Sequence, residues 1–134
     1  MPLNALDHLL VLTDDLQATR AFYRDVLGLE DGPRPPLPFP GHWLYAGEAP
    51  CIHIADRTAY RAHARTLGLD PSDDRHGAGV VDHIAFRATD YDAIVERLDR
   101  YDVAAVRNTV EGAGIRQLFV SDPNGVTVEI NVLP

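Results

Sequence analysis

Along this chain, apolar residues alternate with polar ones over short runs, then shift to a helical spacing, and the whole pattern occurs twice. Residues 6–18 read LDHLLVLTDDLQA and residues 81–93 read VDHIAFRATDYDA. At a constant offset of 75 residues Asp7 matches Asp82, His8 matches His83, Asp15 matches Asp90 and Ala18 matches Ala93. The apolar positions agree as well, Leu6 with Val81 and Leu9 with Ile84. In each copy an extended apolar run follows Asp-His, then an acidic turn, then a helical period. In the first copy Asp14 or Asp15 caps a helix reaching Leu27, with Leu16, Phe22, Tyr23, Val26 and Leu27 on its apolar face and Gly28 at its end. In the second, Thr89 or Asp90 caps a helix striped with Tyr91, Ile94, Val95 and Leu98.

Strands follow each helix. Trp43–Ala46 and Cys51–Ala55 flank Gly47-Glu48-Ala49-Pro50, a hairpin signal. Later come Val103–Asn108, Ile115–Ser121 and Val126–Val132, the last two joined by Asp122-Pro123-Asn124-Gly125, where Asn-Gly suits the positive φ of a tight turn. Each copy therefore reads β-α-β-β-β. The expectation is an α+β fold in one domain, with module one at about 5–55, a linker at 56–79 and module two at about 80–132. Two segments fall outside the repeat. Residues 31–40 hold Pro33, Pro35, Pro36, Pro38 and Pro40 and read as a rigid loop, a candidate pocket wall. Residues 56–79 carry a short helix with Arg57, Arg61 and Arg65 at i, i+4 and i+8, read as a solvated stripe with phosphate contact as the alternative. A polar stretch, Asp70-Pro71-Ser72-Asp73-Asp74, and then Gly77-Ala78-Gly79 complete the linker.

The repeat also organises the candidate chemistry. His8 and His83 stand at the start of equivalent strands, and Ile52-His53-Ile54 aligns with Val128-Glu129-Ile130 after one residue of slippage. His8 to His53 is 45 residues and His83 to Glu129 is 46. Each copy thus offers one ligand-type side chain at its first strand and one on its last. Side chains alternate across a strand, so if Ile52 and Ile54 pack on one face, His53 points to the other, and Glu129 does the same between Val128 and Ile130. Three imidazoles and a carboxylate suit one divalent transition metal, Fe, Mn, Co, Ni or Zn, better than Ca or Mg. Each residue alone reads equally as a hydrogen-bonded core or surface side chain; the matched placement in two copies favours ligation.

Composition narrows the classes. The chain has 134 residues and a net charge of −8, which disfavours nucleic acid and anionic membrane surfaces. All twelve cationic side chains are Arg, which excludes lysine Schiff-base and P-loop chemistry. The single cysteine, Cys51, excludes an internal disulfide and a thiolate zinc cluster. Met1-Pro2-Leu3-Asn4 lacks the pattern of an export signal and no apolar run reaches the length of a membrane span, so a cytoplasmic location is expected.

The motifs Leu6-Asp7-His8, Phe22–Leu29 (FYRDVLGL), Val81–Phe86 (VDHIAF) and Phe119–Glu129 (FVSDPNGVTVE) together resemble the vicinal oxygen chelate superfamily. That superfamily includes glyoxalase I, methylmalonyl-CoA epimerase, extradiol dioxygenases, fosfomycin-resistance enzymes and bleomycin-resistance proteins. The resemblance covers essentially the whole chain. It implies paired β-α-β-β-β modules forming a curved mixed sheet around a metal cleft, often completed by dimerisation. It places His8, His83 and Glu129 on three shared ligand positions and His53 on a fourth, variable one that is often Glu or Gln. It implies a lyase, isomerase or dioxygenase acting on a small substrate that chelates through vicinal oxygens, with Glu129 or a bound hydroxide as the catalytic base, in a homodimer. The alternative is a metal-free drug- or metabolite-binding protein of the bleomycin-resistance type. His53 at the fourth position weakens a proton-shuttling glyoxalase I reading. Trp43, Cys51, Arg116 and Asn131 are the candidate substrate-lining residues. Their alternatives are core packing for Trp43 and Cys51, a surface ion pair for Arg116 and a backbone or ligand partner for Asn131. His42 is expected beside Trp43 at the rim. His63 and His76 are assigned no chemistry.

Overall fold

In a computed structural model of the protein, residues 3–134 are described. Met1 and Pro2, on which the reading of the N-terminus partly rests, lie outside the described residues. The chain forms two compact units, one ending at Arg75 and one running from His76 to Pro134.

The first unit contains β1 (Leu9–Thr13), α1 (Leu16–Ala21), β2 (Glu30–Gly32), β3 (Gly41–Ala46), β4 (Ala49–Asp56) and α2 (Arg57–Thr66). Asp15 caps α1, its carboxylate accepting from the Ala18 N–H at 3.0 Å, which satisfies a donor that a helix start leaves free. The predicted helix does not continue as an α-helix to Leu27. Over Phe22–Val26 it widens into a π-helical turn, in which the Leu27 N–H reaches back five residues to the Phe22 carbonyl at 3.1 Å. Gly28, at φ 80, then takes the left-handed conformation, and the Leu29 N–H closes on the Tyr23 carbonyl. Both Phe22 and Tyr23 are buried.

The sheet order is β1-β4-β3-β2, with β1 parallel to β4 and the other pairs antiparallel. A parallel pair needs a crossover, and α1 together with the β2–β3 hairpin supplies it. Val11, Leu44, Ile52 and Ile54 lie on one face of this sheet and are buried with Phe22 and Tyr23. The proline-rich segment begins inside β2 rather than as a free loop, and its end is fixed by Phe39. The Phe39 ring packs edge-on against Tyr60 of α2 and carries the Arg34 guanidinium on its face.

Arg57 and Arg61 correct the expectation of a solvated stripe on α2. Arg57 is 3% exposed; it donates to the Asp14 carboxylate at 3.0 Å and to the Asp74 carbonyl. Arg61 pairs with Asp73 at 3.1 Å. Two of the three arginines therefore tie the polar linker to the unit, and Arg65 remains exposed.

The second unit repeats the topology with β5 (His83–Ala88), α3 (Tyr91–Arg100), β6 (Val106–Val110), β7 (Ile115–Ser121) and β8 (Thr127–Val132), in the sheet order β5-β8-β7-β6. Again the first and last strands are parallel. Asp90 caps α3, and Leu98 is buried, as are Leu118, Val120, Val128, Ile130 and Val132 of the sheet. In the β7–β8 turn Gly125 alone has positive φ, while Asn124 does not. The buried Asp122 carboxylate organises the turn by accepting from the N–H groups of Asn124 and Val126, each at 2.8 Å. The fold is α+β, two β-α-β-β-β modules each with its own four-stranded mixed sheet. Among the described residues no helix is long and apolar enough to cross a membrane.

Candidate metal centre

In the first module the register decides which residues meet. His53 on β4 lies opposite Leu10 of β1 and Trp43 of β3. Its neighbours Ile52 and Ile54 are each 1% exposed on the helix-facing side, so alternation turns His53 to the other face. There it is 9% exposed and lies within a stack of three rings. Trp43 is parallel to it with ring centres 4.0 Å apart, and His8, just ahead of β1, is parallel at 3.7 Å. Cys51 shares this face by alternation and is a half-buried free thiol. His42 does not join Trp43 at a rim, because successive residues of β3 face opposite ways. It lies on the helix side near Arg20, Asp31 and Arg34, and burial, followed by the charge of Arg20, holds its imidazole below the ordinary value.

In the second module His83 opens β5, and Glu129 lies on β8 opposite Ala85 and Phe119. His83 Nε2 and Glu129 Oε1 are 3.8 Å apart. Asn131 donates to the other carboxylate oxygen, Oε2, at 2.8 Å, which selects the ligand-partner reading of this residue. Arg116 is displaced from the expected lining. It alternates with Gln117, which faces Glu129, so it points to the helix side, where its guanidinium sits 4.0 Å from the centre of the Tyr91 ring. It makes a cation–π contact and has no place on Glu129's face.

His8 and His83 share one arrangement. His8 Nδ1 is 2.6 Å from Asp7 Oδ2, and His83 Nδ1 is 2.8 Å from Asp82 Oδ2. In His8 and His83 Nδ1 is thus committed to a carboxylate, which fixes the tautomer and leaves the Nε2 lone pair outward. His53 differs in that its Nε2 is buried without a partner. Burial, then the neighbouring His8, pushes the His53 imidazole below its ordinary value, favouring the neutral form that a metal requires. His83 goes the other way, raised first by its bond to Asp82.

Within each module the donor types suit a divalent ion. His8, His83 and Glu129 have their second heteroatoms already held, and His53 Nε2 is an orphaned polar atom that burial makes costly. One feature runs against the fit. The parallel planes of His8 and His53 set their lone pairs side by side, so ligation by both requires one ring to turn. Within each module the donors come as a pair, and among the described residues no third His, Cys, Asp or Glu joins either pair to hold an ion. Asp7, Asp82 and Gln117 are contributors that ligand spacing alone does not single out. The Asp-His dipeptide, present in both copies of the repeat, was the visible signal for the first two.

The family model described as the Glyoxalase/Bleomycin resistance protein/Dioxygenase superfamily matches residues 5–130. No functionally curated protein matches by sequence. Among solved structures, a lactoylglutathione lyase from Agrobacterium tumefaciens is 25% identical, with 98% of this chain and 96% of that one covered and a TM-score of 0.67. A genomically encoded fosfomycin resistance protein from Listeria monocytogenes is 16% identical, covering 98% and 95%, with a TM-score of 0.69. An antibiotic binding protein from Streptomyces sp. CB03234 is 17% identical, covering 100% and 99%, with a TM-score of 0.66. The last two share the fold.

Proposed function

Because the chain belongs to the glyoxalase/bleomycin resistance protein/dioxygenase superfamily, we propose that it is a metal-dependent lyase, isomerase or dioxygenase for a small substrate presenting two neighbouring oxygens. In this reading His8 and His53 of the first module, with His83 and Glu129 of the second, hold one divalent transition ion. The observation that carries it is the committed Nδ1 of His8 and His83, combined with a buried, unpartnered Nε2 on His53.

A bound ion would supply Lewis acidity toward a carbonyl or paired oxygens. The chain's own residues do the rest. Asp7 and Asp82 hold the imidazoles of His8 and His83 in the ligating tautomer. Asn131 keeps Glu129 Oε2, so Oε1 is the oxygen offered to the ion, and it takes a proton only when it is not so engaged. The Trp43 ring covers one side of His53 and excludes water there. A homodimer belongs to the proposal, because Leu6, Leu10 and Val81 around the two Asp-His pairs are 84%, 37% and 53% exposed and pairing would cover them.

One observation favours the rival reading, a metal-free binding protein. The Trp43–His53–His8 stack presents aromatic surface as it stands and needs no ring rotation. Elemental analysis of protein purified without a histidine tag, after loading with Fe, Mn, Co, Ni or Zn in turn, separates the two. A stoichiometric ion, lost in His83→Ala, supports the enzyme. No retained ion with any of the five contradicts it, and oxygen consumption with catechols and Fe(II) then distinguishes a dioxygenase from a lyase or isomerase.

A further inference from the structure

On the Glu129 face of the second sheet, Asn108, Gln117 and Asn131 lie directly opposite one another across β6, β7 and β8. Their hydrogen bonds run in one direction. Asn108 Nδ2 donates to Gln117 Oε1 at 2.8 Å, Gln117 Nε2 to Asn131 Oδ1 at 3.0 Å, and Asn131 Nδ2 to Glu129 Oε2 at 2.8 Å. An ionised carboxylate only accepts, so it forces Asn131 to present its NH2 group, which in turn presents its oxygen to Gln117, and so on to the sheet edge. Chained donors polarise one another, so the last bond is stronger than an isolated amide would make it. The other oxygen, Oε1, has only a 3.5 Å contact from Gln117 Nε2, at the limit of a hydrogen bond, and it is the oxygen nearest His83 Nε2.

We infer that Asn108, Gln117 and Asn131 are positioning residues for Glu129: the ladder ties Oε2 and reserves Oε1, so that the carboxylate meets an ion through one oxygen only. This rests on the proposal that Glu129 is a ligand. The arrangement belongs to the second module alone. The positions of the first that match Gln117 and Asn131 in register are Gly41 and Ala55, and a side chain at Gly41 would collide with the Ile54 carbonyl.

The test has a metal-free arm and a metal arm, both on the full chain. In the side-chain amide NMR spectrum of the metal-free protein, Gln117→Met and Glu129→Ala each move the Asn131 signals, and Asn108→Ala moves those of Gln117. Asn131 signals that respond to neither change overturn the ladder. In Co2+ titrations, Asn131→Leu lowers affinity about tenfold, the low end for an outer-shell partner. In a Glu129→Ala background the same change has no further effect. An affinity unchanged by Asn131→Leu, or a loss undiminished in that background, overturns the positioning role. If the unmodified protein takes up no Co2+, the metal proposal fails by itself, while the amide spectrum still decides the ladder.

Discussion

In register, His42 of the first module stands where the second has Leu118, and Gly41 and Ala55 stand where the second has Gln117 and Asn131. The frame is otherwise the same. Trp43 pairs with His53 as Phe119 pairs with Glu129, and the parallel first and last strands place Leu10 beside His53 as Ala85 beside Glu129. One backbone plan thus carries its polarity on opposite faces. The first module keeps its candidate ligand face aromatic and small, and admits a histidine to the helix side. The second keeps Leu118, Val128 and Ile130 on the helix side, with Arg116 stacked on Tyr91, and builds hydrogen bonds on the ligand face. Orientation of the candidate ligands follows suit: stacked rings fix His53, whereas side-chain hydrogen bonds fix Glu129.

The largest effect expected from breaking this comparison is on metal retention. His53→Ala and Glu129→Gln, one from each module, each lower the retained metal well below one equivalent per chain in elemental analysis, leaving only weak binding for titration, if the two pairs serve one ion. Retention by one variant and loss by the other would assign the ion to a single module.

Next come the two helix-side cores. Leu44 and Leu118 are both fully buried, and Leu→Ala at each costs about 2–5 kcal/mol by urea denaturation. Only Leu44→Ala is expected to shift the fluorescence of Trp43, the sole tryptophan, before global unfolding. The caps are smaller and more similar. Asp15→Ala and Asp90→Ala each remove about 1 kcal/mol. Asp90 sits at φ 61, where glycine is at ease, so Asp90→Gly is milder than Asp90→Ala.

The smallest effect is the pH response, which has opposite signs in the two modules. His42 and His53 are held below their ordinary value of 6.5. As pH falls through 6.5 the unfolded chain therefore binds protons that the folded chain resists, and stability declines on acidification. His83 is raised above 6.5 by Asp82. Its contribution is present below 6.5 and is lost as pH rises through its folded value, and solvent exposure keeps it small. Histidine NMR titration should place His53 below and His83 above 6.5. His42→Leu, which copies Leu118 into the first module, should lessen the acid sensitivity of the Trp43 unfolding signal.

Much of this fold was legible because its signals are local and repeated. Asp15 and Asp90 cap their helices, Gly28 ends the first, and Ile52-His53-Ile54 announces its own alternation. What escaped depends on neighbours in space. The π-helical turn at Phe22–Val26 leaves no mark in a period count. Arg57 read as solvated because its partners, Asp14 and the Asp74 carbonyl, are distant in sequence. Arg116 seemed to point toward the site until the register fixed Gln117 on Glu129's face, and parity alone then turned Arg116 away. For the candidate ligands, sequence spacing gave the pairs His8 with His53 and His83 with Glu129, but not the orienting partners of their second heteroatoms.

The central claim is that the two differently built modules serve one ion, and histidine NMR in a zinc titration tests it most directly. Before zinc, His8 and His83 should show the Nδ1–H tautomer. At one equivalent per chain, the Nε2 resonances of His8, His53 and His83 should shift together, with no further change on excess zinc. A response confined to the histidines of one module, or no response in any of them, would contradict it.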